Sequence, residues 1–162
     1  VRIESGVFFC FKGGILMELI VKETSDLTNL ELVKIFEARV KVFVVEQSCA
    51  YQEIDEYDTE AKHVILKDGE IIVAYTRIIE DQSKISFGRV LVTKNYRGKK
   101  YGQQILRETI KQINDNSDKT RIYISAQEYL EKFYSSFGFE KVSEMYLEDN
   151  IPHIDMVLNI KR

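Results

Sequence analysis

The 162-residue chain has one proline (Pro152), two cysteines (Cys10 and Cys49), two histidines (His63 and His153) and no tryptophan. With so little proline, and no repeat, low-complexity stretch or linker, a hinged second domain has no place in it. Two cysteines are too few for a disulfide framework and suit a reducing cytosol, so a cytoplasmic location is expected. Cys49 is expected to be a small buried residue rather than a nucleophile. No Cys/His ligand spacing occurs, and no metal is expected. No run of 18 apolar residues occurs either, so no membrane-spanning helix is expected. The net charge of −3 and pI near 5.5 argue against general nucleic-acid binding. Neither G-x-x-x-x-G-K-[ST] nor G-x-G-x-x-G is present, which weakens nucleotide hydrolases and dinucleotide oxidoreductases together.

What the chain does have is an ordinary globular composition, 44% apolar and 30% charged. At this length one domain is expected, burying about two-thirds of its unfolded surface. Residues 1–16 read as an upstream or artificially added tail, with Met17 as the start of a domain over residues 17–162. The apolar piece Gly6–Phe11 lacks a basic flank and a small-residue cleavage site, so it is not read as a signal peptide. The alternative is a hydrophobic tail packed on the body.

Glu18–Lys22 reads as a first strand. Ser25-Asp26 can cap a helix carrying Leu27, Leu30, Val33, Ile35 and Phe36, whose pattern continues into Ala38–Gln47, where it turns β-branched and is expected to leave the helix. An acidic run follows: Glu46, Glu53, Asp55, Glu56, Asp58 and Glu60, with no basic residue between Lys41 and Lys62. It is either a solvated loop or an attractor for a cationic substrate. Strands Lys62–Lys67 and Glu70–Ile79 flank Asp68-Gly69, a hairpin signal. Ile85–Val92 is a further strand, 103–116 an amphipathic helix, and Arg121–Ser125 a strand. Gln127–Phe137 is a short helix ended by Gly138, and strands follow around Phe139–Val142 and Ile154–Leu158. The order implies an α/β sandwich with a mostly antiparallel sheet and one right-handed β-α-β crossover.

Charge is not spread evenly over these elements. From Gln82 to Arg107 there are seven basic residues and no acidic one. The strand ending at Val92, the turn Arg97-Gly98-Lys99-Lys100-Tyr101-Gly102 and the following helix start together present backbone N–H groups beside positive side chains. That suits a phosphate-rich ligand.

Leu91–Gly102 resembles the cofactor-binding motif of the GCN5-related N-acetyltransferase (GNAT) superfamily. Phe133-Tyr134-Ser135-Ser136-Phe137-Gly138-Phe139 resembles its second signature, in the expected order and separation. Val42–Asp55, Gly88-Arg89-Val90, Ala126-Gln127 and Glu148–Ile154 are similar to the ElaA-like subfamily. This likeness spans roughly residues 32–156. It implies a three-layer sandwich whose central sheet is split into a V, with helices flanking it. It implies acetyl-CoA as cosubstrate and a primary amine as acceptor, whether a small amine, a polyamine or a peptide. The pyrophosphate would lie on Arg97, Gly98, Lys99, Lys100, Tyr101 and Gly102. Val90, Leu91 and Val92 would pair with the pantetheine arm, with Gln127 and Tyr134 as further cofactor contacts. Tyr134 stands where the family has its general acid, and Glu46 or His153 is the expected base. Lys100 replaces the usual middle glycine of R-x-x-G-x-G, and Gln127 a frequent Asn. A non-catalytic acyl-CoA-binding sensor is the alternative function. No nucleic acid or membrane partner is expected, and the chain is a monomer or homodimer.

Overall fold

The computed structural model describes residues 6–12 and 15–161, with side chains from residue 16 onward. Its elements are β1 (Gly6–Lys12), β2 (Ile15–Glu23), α1 (Asn29–Val40), β3 (Lys62–Asp68), β4 (Ile71–Glu80), β5 (Ile85–Val92), α2 (Tyr101–Asn116), β6 (Arg121–Gln127), α3 (Glu131–Ser135), β7 (Glu140–Lys141), β8 (Tyr146–Glu148) and β9 (Ile151–Asn159). The nine strands form one sheet in the order β1-β2-β3-β4-β5-β6-β9-β7, with β8 also on β9. Every neighbouring pair is antiparallel except β5 and β6. Gly6–Lys12, expected as tail, pairs with β2 from Gly6↔Val21 to Lys12↔Ile15, and β2 begins two residues ahead of Met17.

One face of the sheet packs on α2. Its apolar stripe of Tyr101, Ile105, Leu106 and Ile113 is buried against Val64, Leu66, Ile85, Ile122 and Ile154 among others. The other face carries α1, but only over β2–β5, where Ile35 and Val42 meet Ile20, Ile65, Tyr75 and Leu91. Among the described residues nothing helical covers that face beyond β5. Alternation puts Tyr123, Ser125 and Gln127 of β6, and His153 and Asp155 of β9, on this uncovered side.

Three local expectations need correction. The cap of α1 is Thr28 rather than Ser25-Asp26, which form a 3-10 turn. Glu31 N–H donates to Thr28 Oγ1 at 3.2 Å and Thr28 N–H to Glu31 Oε2 at 2.8 Å, a full capping box. The buried residues of α1 are Ile35 and Arg39, while Leu30 and Val33 are exposed. After Val40 the chain does not leave the helix but widens into a π-helical turn over Lys41–Glu46.

Candidate active site

β5 and β6 touch at only two register pairs, Ile85↔Ile122 and Ser86↔Tyr123, and then part. A bulge accompanies the parting. Tyr75 pairs with Leu91 but Arg77 with Gly88, so Arg89 and Val90 together oppose the single residue Thr76. An extra residue in one strand bends it and leaves one backbone group outside the ladder. Arg89 takes the strain, with φ +50° in a region that L residues avoid. The opening is a cleft of about 850 Å³, walled by Gly88, Arg89 and Val90 on one side and by Ser125, Ala126 and Gln127 on the other.

Tyr134 of α3 reaches this cleft from below. Its ring is held edge-on between Phe133 and Phe139, at 5.2 and 6.0 Å between centroids. Gly138 allows the chain to turn back so sharply, with φ +93°. Burial pushes the Tyr134 phenol well above its ordinary pKa, with Tyr129 adding to the rise. Among the described residues its hydroxyl has no hydrogen-bond partner, so the group is a protonated donor facing the cleft.

The opposite wall is polar. His153 Nδ1 lies 2.7 Å from the Ile151 carbonyl, a contact that requires the proton on Nδ1. Nε2 is then the basic atom, 3.4 Å from Glu148 Oε2. Tyr146 stacks on the His153 ring. The Tyr146 hydroxyl donates to Asp155 Oδ1 at 2.6 Å and meets Ser125 Oγ at 2.5 Å.

Beyond β5 the chain enters α2 through a turn with two left-handed residues, Gly98 at φ +76° and Lys100 at φ +64°. Lys100 is the N-cap of α2 and no side chain caps it. The first N–H groups of this sixteen-residue helix therefore point outward at its positive end.

The family profile described as an acetyltransferase (GNAT) domain matches residues 24–160. The chain belongs to this GNAT family. Protein ElaA of Escherichia coli K12 is 38% identical over 141 residues, covering 84% of this chain and 92% of that protein. A UPF0039 protein of Schizosaccharomyces pombe is 37% identical over 147 residues, covering 89% and 98%. The crystal structure of E. coli ElaA superposes with a TM-score of 0.84 over 88% of this chain and 99% of that one. An acyl-CoA N-acyltransferase from Pseudomonas aeruginosa superposes equally well, at 0.84 and 34% identity, over 88% and 99% of the two chains. The chain is thus an ElaA-like GNAT protein with the α/β, V-split sandwich expected of one.

Within this GNAT site the structure brings together Val90, Gln127, Tyr134 and His153 on one cleft. Leu91 points instead into the core under α1, and Val92 packs on the α2 side. Gln127 ends β6 rather than starting a helix, and its amide lies 3.5 Å from Gln47. Glu46 stands apart from His153. Its Oε2 is 2.6 Å from Arg97 Nη2, and Arg97 Nε also donates to the Val92 carbonyl at 2.9 Å. His63, the other histidine, is fully buried between Thr24 Oγ1 and Tyr75 OH at 2.8 and 2.6 Å. Cys49 is half-exposed on the cleft wall rather than buried.

The acidic run is only in part a solvated loop: Glu56 and Glu60 are exposed, but Glu53, Asp55 and Asp58 turn inward. Glu53 and Asp58 are buried and paired to arginines from three other elements. Arg39 of α1 holds Asp58 through both oxygens at 2.6 and 3.0 Å and Glu53 at 2.8 Å. Arg77 of β4 holds Asp55 at 2.7 Å and Asp58 at 3.0 Å. Arg89 of β5 reaches Glu53 at 2.8 Å and Asp55 at 3.3 Å. Glu53, Asp55 and Asp58 thus neutralise internal cations, which leaves less of the run's charge facing solvent. One sequence signal pointed to this network: Arg39 sits one helical turn after Ile35, on the buried stripe of α1.

Proposed function

We propose that the chain transfers an acetyl group from acetyl-CoA to a primary amine by direct attack in a ternary complex. The observation that carries this reading is the cleft opened where β5 and β6 part, with the bulged Arg89 and Val90, Tyr134 and His153 all on its lining. In this reading the pyrophosphate is held by the N–H groups of Gly98 to Gly102, with Lys99 and Lys100 adding positive charge. Arg97 contributes its charge while anchored to Val92 and Glu46. The fit is supported by the two left-handed residues, Gly98 and Lys100, which curl the turn ahead of α2. The pantetheine arm pairs with the backbone from Val90 to Val92, and the amide that the bulge leaves outside the ladder faces the thioester carbonyl. Gln127 supplies a polar contact from the far wall.

His153 is the base in this scheme. Its Nδ1–H is committed to Ile151, which leaves the Nε2 lone pair to accept the amine's proton, with Glu148 beside it to stabilise the resulting imidazolium. Tyr134 then returns a proton to the departing CoA thiolate. The surroundings that raise the phenol also destabilise a bare thiolate, so proton transfer between them stays feasible. Release of free thiol from acetyl-CoA in the presence of a panel of amines tests the reading. A protein that fails to bind acetyl-CoA at all would sink it. Thermal stabilisation by acetyl-CoA without turnover on any amine would instead favour a sensor.

A further inference from the structure

We infer that Glu53 is a positioning residue for acetyl transfer, acting through Arg89 to hold the β5 bulge in its strained, carbonyl-facing form. The inference rests on the acetyl-CoA reading above. Arg89 is the strained point: a long, branched-headed side chain at φ +50° inside a strand has no local reason to stay there. Something outside the strand must hold it.

Glu53 does so with two groups. Its Oε1 lies 2.8 Å from Arg89 Nε, and its carbonyl oxygen accepts from Arg89 Nη2 at 2.8 Å. The same two groups of Glu53 accept from Arg39, Oε1 from Nε at 2.8 Å and the carbonyl from Nη2 at 3.1 Å. Arg39 is fully buried and locked to both oxygens of Asp58, so Glu53 is fixed to the body of the protein before it meets the bulge. Asp55 adds a second grip on Arg89 at 3.3 Å while itself held by Arg77. The Arg89 guanidinium also lies over the Tyr51 ring at 5.4 Å. The path is therefore continuous from α1, through the loop, to the residue whose torsion opens the ladder.

The pairing is imperfect where it meets the bulge. Arg89 Nε is close to Glu53 Oε1 but not aligned to donate to it, and Glu53 Oε2 has no hydrogen-bond partner among the described residues. Buried charges left in this condition are costly, and a loop that only needed closing would do better with apolar residues. What such a clamp supplies is a fixed position for an amide that must sit within hydrogen-bond reach of a developing oxyanion.

The test reads the amide directly, without an acceptor amine. Acetyl-CoA labelled with ¹³C at the thioester carbonyl is bound to the wild-type chain, to Glu53→Gln and to Arg89→Lys. Affinity is followed by calorimetry and folding by thermal melting. In the wild type the bound carbonyl resonance should move downfield of free acetyl-CoA. In either folded variant it should return toward the free value while binding persists, because Arg39–Asp58–Arg77 still closes the loop. A wild-type carbonyl shift in both variants would overturn the inference. So would loss of acetyl-CoA binding in both, since the bulge would then hold the cosubstrate rather than polarise it. Absence of binding by the wild type is a different failure, that of the acetyl-CoA reading itself.

Discussion

Glu46 Oε2 lies 2.6 Å from Arg97 Nη2, tying the end of the π-helical turn to the residue that opens the turn into α2. A carboxylate engaged in this way is an anchor more than a base. Glu46→Gln should leave the limiting rate and its pH dependence unchanged and weaken acetyl-CoA binding by no more than about fivefold, the range of a partly exposed pair. A fall in the limiting rate of on the order of a hundredfold, with binding intact, would return Glu46 to the chemistry.

Lys100 occupies a position that asks for glycine. At φ +64° a lysine carries a penalty of about 1–2 kcal/mol that glycine does not, part of which glycine gives back as greater freedom in the unfolded chain. Lys100→Gly should therefore raise the melting temperature by roughly 2–4 °C for a chain of this size. If backbone amides do most of the holding, acetyl-CoA affinity should change little. A lower melting temperature would mean that the Lys100 side chain has a stabilising role in the fold.

His63 makes stability pH-dependent. Burial, and then the charge of Arg39, hold its pKa down to about 4. The unfolded chain binds this proton below about 6.5, whereas the folded one does not until near 4. Stability from this group is therefore complete above pH 6.5 and lost as the pH falls toward 4, by about 3 kcal/mol in all. Denaturant unfolding at pH 7 and pH 4.5 measures the difference, which the non-titrating substitution His63→Gln should largely abolish. Asp58, held far below the usual carboxylate range by its arginine partners against the cost of burial, loses its contribution only at lower pH.

Much of this was legible in the sequence wherever the deciding forces are local. β5 spans Ile85–Val92 as its apolar run predicts, and the Asp68-Gly69 turn joins β3 and β4 with Gly69 at φ +57°. The stripe of α2 and the closing glycine at 138 were equally plain. What was missed depends on distant partners. β6 runs on to Gln127 because Ala126 and Gln127 pair with Ile154 and His153. β8 has only three residues and exists because β9 lies beside it. Arg39 and Asp58 are 19 residues apart and Arg89 and Glu53 are 36 apart, so no periodicity could join them. The acidic run was visible, but its arginine partners were not.

Tyr134 offers a sharper probe of the chemistry than of binding. Tyr134→Phe keeps the ring between Phe133 and Phe139 and deletes only the hydroxyl. Turnover should fall by on the order of a hundredfold while acetyl-CoA affinity survives. An unchanged rate would remove Tyr134 from proton transfer.

The most direct measurement is a calorimetric titration of the purified chain with acetyl-CoA, followed by assay of free thiol once an amine is added. The expected result is saturable 1:1 binding, with thiol released only when a suitable primary amine is present. No heat of binding and no thermal shift with acetyl-CoA would contradict the assignment of the cleft between β5 and β6.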